Sequence, residues 1–262
     1  VHAVNRATAE TEWQFTGVPC SIRVACAASH AHMTKITITP VTNKRERKAF
    51  LALPFRLYAE DPYWVPPLKG EALGLITPEK IGWFSHAKAQ LFLAYRDGRV
   101  VGRISAHIDT LALDMPAALG FGPGVGQWGL MDAEEEEVFL ALLDRAESWL
   151  RDQGMTRALG PTIMSIWEEP GLLIEGFDQA PTVMMGHHGP KFRAWIEAAG
   201  YEPVKQLRTY ELDITRTFPP IVQRIHAGEN NKRIVVRKVD KRRFDEEAAI
   251  ILEILNDAWS DN

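Results

Sequence analysis

"AQLFLAYRDGRVVGRISAHID", residues 89–109, decides how the rest of the chain is read. Asp97-Gly98 is a strong type I′ turn signal, a turn whose two central residues both need positive φ. Beyond it Gly102, Ile104, Ala106 and Ile108 alternate with Arg103, Ser105 and His107, the period of a half-buried strand. The stretch reads as an antiparallel hairpin, with His107 an exposed strand residue.

Working outward, "ITITPV" (36–41) reads as a strand and residues 43–61 as a helix interrupted near Pro54. Residues 62–80 are too rich in Pro and Gly for a long element, so they read as loops and short helical turns. Downstream, "GQWGLMDA" (126–133) is a strand and residues 134–154 a helix. Val138, Phe139, Leu142, Leu143, Ala146, Trp149 and Leu150 form its apolar stripe. Asp132 reads as its N-cap with Glu135 at the capping-box position, and Gly154 as its stop. "TRALGPTIMSIW" (156–167) returns as a strand bent or interrupted at Gly160-Pro161. A short helix (190–200) ends at Gly200, and "EPVKQLRTYELDI" (202–214) reads as a last strand. The fold class is α/β, a mixed sheet flanked by helices.

Composition narrows the function classes. The chain has 262 residues, 46% hydrophobic and 24% charged, with a formal net charge of −4. That balance gives no global pull toward nucleic acid or an anionic membrane, so neither is expected as a partner. No apolar run approaches the roughly 20 residues a spanning helix needs. Both cysteines, Cys20 and Cys26, precede Met33, which fits a reducing, cytoplasmic setting. Residues 1–32 have no clear period and read either as a floppy tail or as a mis-assigned leader before a start at Met33.

A weak internal repeat is visible. Ile36, Ile38 and Val41 match Ile234, Val236 and Val239 at constant offset, each set followed by a basic cluster and an apolar-periodic helix. A strand and one helix cannot bury a core of their own. The expected organisation is therefore a domain over 33–215, a linker over 216–229, and over 230–262 the beginning of a second copy that is truncated.

Gly124, Gly126 and Gly129 spell GxGxxG, followed by four glutamates, Glu134 to Glu137. A dinucleotide fingerprint needs its glycines between a strand and a helix. These lead into "QWGLM", itself a strand that contains Gly129, so they read as an exposed glycine-rich loop entering a strand rather than a phosphate cradle.

The element order, the Asp-Gly hairpin and the ending "WIEAAGYEPV" resemble the GNAT family of N-acetyltransferases. More narrowly, Gly160-Pro161, Ser165, the GLLxxGFD block from Gly171 to Asp178, the segment Pro181 to Met185 and Gly200-Tyr201 resemble poorly characterised bacterial proteins with two GNAT-like halves. The resemblance covers about residues 33–215. It implies a GNAT fold, an acyl-CoA (acetyl-CoA or another) as cofactor, and transfer of its acyl group to a small-molecule amine. It also implies a pyrophosphate held at the start of the long helix, in a Q/R-x-x-G-x-G/A loop. The matching stretch here, Asp132 to Glu137, has no glycine. A carboxylate about 4 Å from a phosphate costs roughly 4 kcal/mol at an effective dielectric near 20. A helix terminus returns only about 0.3–1 kcal/mol. No cofactor is expected at Asp132–Glu137. Many relatives carry a general-acid tyrosine four residues before the Gly-aromatic ending; Ile196 stands there and cannot donate a proton, while Tyr201 reads as core.

Several residues are weighed as site candidates. Glu168 and Glu169 are paired carboxylates that could bind an amine or take its proton, against a solvated loop before Pro170. Ser165 lacks a G-x-S-x-G elbow, so it is a ligand contact or a turn former rather than a nucleophile. His187 and His188 lack the spacing of a metal site; they are cleft-lining candidates for substrate, with a surface loop as the plainer reading. The basic run 232–243 reads as a solvated strand edge and not a nucleic-acid surface. The functional expectation is an N-acyltransferase in the intact protein, this half being degenerate and supporting it or binding its acceptor. The alternative is a non-enzymatic ligand-binding or interaction module on the same fold.

Overall fold

The computed structural model describes residues 35–116, 120–165, 168–210, 213, 215, 217–227 and 237–259. The chain divides into two compact units, Val1–Thr209 and Tyr210–Asn262. In the first, β1 (Thr37–Pro40), β2 (Ala87–Arg96), β3 (Arg99–Asp109), β4 (Val125–Ala133) and β5 (Arg157–Leu159) form one sheet in that order. Neighbours are antiparallel except β4 and β5, which are parallel. The helices are α1 (Lys44–Leu57), α2 (Lys69–Leu75), the short α3 (Thr110–Leu113), α4 (Glu136–Asp152) and α5 (Lys191–Ala198). The mixed, helix-flanked sheet matches the fold class read from sequence.

The hairpin forms as its turn chemistry demands. Asp97 and Gly98 sit at φ 53° and 75°, and Arg96 pairs with Arg99 across them. What the alternation in β3 does not reveal is that both its faces are covered. Ile104 and Ala106 join Phe92, Trp128 and the α4 stripe in one cluster, whereas Leu91 and Leu93, which face Ser105 and Arg103 across the ladder, pack with Phe50 of α1, Ile76 and Met164. His107 is therefore fully buried rather than exposed.

The GxGxxG glycines are packing residues, and two of them lie inside β4 rather than in an exposed loop. A Cβ on Gly126 would stand 2.5 Å from Leu150 Cδ2 of α4, and one on Gly129 only 1.7 Å from the Thr162 carbonyl oxygen. Small residues there let α4 and the chain after β5 approach the strand.

Other boundaries shift. α1 runs through Pro54 without interruption, its start closed by an Asn43–Glu46 capping box. The long helix begins at Glu136 with Glu135 as N-cap and no side-chain cap. Asp132 is instead a buried residue of β4. β5 stops at Leu159, and residues 201–210 form no strand. Tyr201 is core, as read, and its hydroxyl donates to Glu147 at 2.8 Å.

The second unit holds α6 (Pro220–His226) and α7 (Phe244–Trp259), the latter where the second apolar-periodic helix is read. Arg237 and Arg243 both donate to Glu247, the buried carboxylate at the start of α7. Ile234 and Val236 of the repeat lie outside the described residues, as do residues 1–34. Among the described residues no helix is long and apolar enough to cross a membrane.

Candidate functional site

The site grows from a consequence of Pro54. Proline has no N–H, so the Phe50 carbonyl four residues back loses its helical partner. Arg103 of β3 takes that place, its Nη1 donating to Phe50 O at 3.2 Å while Nε donates to Asp132 Oδ2 at 2.7 Å. Tyr58, just past α1, donates its hydroxyl to the other Asp132 oxygen at 2.8 Å. Burial, then the Asp132 charge and hydrogen bond, drives the Tyr58 pKa far upward, so it stays a neutral donor. Between Gly129 and Asp132 the β4 ladder carries one extra residue opposite Ser105–Arg103, a bulge with Leu130 at φ 43°.

Above this floor lies a pocket of about 1370 Å³. Two stretches of chain line it, one from α1 through α2 and one from Pro161 to His188. Their walls are mainly apolar: Phe55, Trp64 and Leu73 from the first, Ile163, Pro181 and Met185 from the second. The stretches are clasped where His187 Nε2 meets Asp61 Oδ2 at 2.8 Å. A carboxylate only accepts, so Nε2 carries the hydrogen. The Tyr58 ring stands edge-on to His187 and stacks near Trp64.

Four of the five residues singled out from the sequence meet here. Glu168, Glu169, His187 and His188 all line the pocket. His187 and His188 lie in a loop but turn their rings inward: the His187 side chain is 4% exposed, and Nδ1 of each ring is buried without a hydrogen-bond partner. Burial pushes His188 down to about 4, opposed by Asp132, so the ring is neutral near pH 7. Burial raises Glu169, with Arg103 opposing and Glu168 and Asp132 adding to the rise. Glu169 and His188 are neighbours: a Cβ placed on Gly186 would lie 3.6 Å from Glu169 Oε2 and 3.0 Å from the His188 ring. The loop bearing both glutamates is closed by the Gly171 N–H donating to Pro161 O at 2.8 Å. Ser165 does not line the pocket; its carbonyl accepts the Glu168 N–H.

Sequence reading missed Tyr58, Asp61 and Arg103. The available signal was an arginine and an aspartate at facing strand positions, each followed or preceded by apolar residues. No group of three or more His, Cys, Asp or Glu side chains among the described residues could hold a metal ion.

At the start of α4 the electrostatic premise changes. The glutamates are not an unneutralised cluster. Arg99 grips Glu134 through both guanidinium nitrogens at 2.6 and 2.9 Å, and Arg56 also donates to Glu134. Arg96 bridges Glu135 and Glu137 at 2.7 and 3.0 Å. Lys191 donates to the Ala133 and Glu134 carbonyls. Glu134, Glu135 and Glu137 are thus paired with three arginines in partly solvent-exposed bridges.

No family model matches the chain. It is 44% identical over 228 residues to a protein of Caulobacter vibrioides described as a bacterial ceramide synthase, an alignment covering 87% of this chain and 58% of that one. It is 38% identical over 222 residues to protein YghO of Escherichia coli, covering 84% of this chain and 55% of that protein. Among solved structures it superposes on a tandem GNAT protein from the clavulanic acid biosynthesis pathway, with a TM-score of 0.44 and 16% identity over 63% of this chain and 43% of the other. The chain spans little more than half the length of the curated relatives it matches.

Proposed function

We propose that this chain is the acceptor-binding part of an N-acyltransferase, and that its pocket holds a long-chain amine, with the ammonium at Glu169 and the aliphatic tail along the apolar walls. A ceramide is the amide of a long-chain amino alcohol, so the relative of that description supports an amphiphilic amine as acceptor. The observation that carries the reading is geometric: Glu169 lines a large, mainly apolar pocket next to His188, and burial raises its pKa there. Such a group gains most from a cation, which restores its charged form and satisfies its oxygens. At about 1370 Å³ the pocket exceeds the roughly 300–1,000 Å³ typical of drug-sized ligands. Neutral His188 near Glu169 has a lone pair that can accept a hydrogen bond from the amine.

In this reading the acyl donor is an acyl-CoA, as the GNAT resemblance implies, seated elsewhere than at Asp132–Glu137. At the α4 entrance Glu134, Glu135 and Glu137 already engage three arginines, which would otherwise be free to meet a diphosphate. Ile196, buried in the core, has no proton to give a departing thiolate. Both features favour a supporting, acceptor-holding role.

Calorimetry with a saturated long-chain 2-amino-1,3-diol, kept below its micellar concentration, tests this. Binding should weaken at least about tenfold in Glu169→Gln, since a hydrogen bond to a charged group contributes about 1.5–3 kcal/mol. Equal affinity in the variant would count against the assignment.

A further inference from the structure

We infer that the mouth of this pocket docks on a lipid bilayer carrying anionic headgroups, so that an amphiphilic amine can pass from leaflet to pocket without crossing water. The inference rests on the long-chain amine reading and adds a partner to it. Four large apolar side chains both line the pocket and stand in solvent: Val65 at 53% exposure, Leu68 at 68%, Val183 at 86% and Met184 at 52%. A residue with both properties lies at the opening. Two come from the first lining stretch and two from the second, so the apolar rim belongs to both. Pro66 and Pro67 lie between Val65 and Leu68 and extend the rim without adding an N–H to solvate. Exposed apolar side chains gathered around a pocket mark a contact surface.

The charge around the rim identifies the partner. Lys48, Lys69 and Lys80, all exposed, line the pocket from α1, α2 and the turn after α2, against two exposed lining carboxylates, Glu71 and Glu168. The net charge of −4 does not describe this local excess. Lys69 holds its ammonium over the Phe55 ring at 4.9 Å, a cation–π contact that keeps a positive charge beside the apolar rim. Apolar side chains that enter the headgroup boundary, with lysines at headgroup level, form the pattern of an interfacial membrane contact.

Flotation of the chain with vesicles of equimolar phosphatidylcholine and phosphatidylglycerol, and with phosphatidylcholine alone, tests the inference. Wild type should float with the anionic vesicles and much less with the neutral ones. Each lysine near an anionic surface contributes about a fivefold gain in affinity. The double variants Val65→Ser/Leu68→Ser and Val183→Ser/Met184→Ser should each lose vesicle binding at least about tenfold while keeping the wild-type circular dichroism spectrum. The inference is overturned if wild type stays with the aqueous fraction, if both variants bind as well as wild type, or if the rim variants instead break a dimer in sedimentation that never binds vesicles. Amine binding by calorimetry separates the two ideas. Amine binding without flotation removes only the membrane contact; flotation without amine binding removes the acceptor reading.

Discussion

Acid should unfold this protein through two histidines that burial keeps neutral. Burial pushes His188 to about 4 and His107 to about 3, from an ordinary value of 6.5. A group whose folded pKa is depressed contributes its full stability above the unfolded value and loses it as pH falls toward the folded one. The window therefore runs from about pH 6.5 down to about pH 4 for His188 and about pH 3 for His107. At about pH 4.5 the unfolded chain has taken up both protons and the folded chain little of either, a cost of roughly 2.5 kcal/mol per histidine and ~5 kcal/mol together. That equals the lower end of typical domain stability, about 5–15 kcal/mol. Glu169 works in the opposite sense. Its pKa is raised, so its contribution is present at low pH and lost as pH rises through the raised value, offsetting part of the acid loss. Urea unfolding at about pH 7.5 and about pH 4.5, for wild type, His107→Gln and His188→Gln, reads the effect. Each variant should show a pH difference smaller than wild type by about 2–3 kcal/mol, whatever its starting stability. Identical pH differences in all three proteins would refute the reasoning.

The same structure fixes several further outcomes. Asp132→Asn leaves Arg103 buried without its counter-charge and should destabilise by about 3–5 kcal/mol, read as a fall in urea midpoint. Gly129→Ala must displace the Thr162 backbone and should cost about 3 kcal/mol or more; Gly98→Ala, strained only by its positive φ, should cost about 1 kcal/mol. Equal midpoints for those two variants would contradict the close approach at β4. Removing two methylenes from the tail of a bound amine should weaken binding by about 1.6 kcal/mol, roughly fifteenfold, in calorimetry.

Local chemistry was legible; burial and register were not. The hairpin could be read because Asp97 and Gly98 must adopt positive φ together, a demand two residues state alone. The α4 stripe could be read because its period repeats over four turns. His107 could not be placed, since alternation shows two faces of β3 but not that α1 covers the second. Asp132 looked like a helix cap because the bulge at Leu130 is invisible in the sequence, and its true partner Arg103 is 29 residues away. The strand read at 202–214 needs a neighbour to pair with, and its residues 202–210 form no ladder. At the candidate site, Glu168, Glu169, His187 and His188 are named from residue type and from loops that the GNAT resemblance puts beside the cleft. Their convergence depends on the turn from Pro161 to Gly171 and on the clasp to Asp61, both tertiary facts.

The head-group preference of the pocket tests the central claim most directly. At about pH 7.5 a long-chain amine should bind at least about tenfold more tightly than its neutral N-acetyl derivative with the same tail, a gap that closes in Glu169→Gln. Equal affinities of wild type for the amine and the neutral derivative would contradict the account.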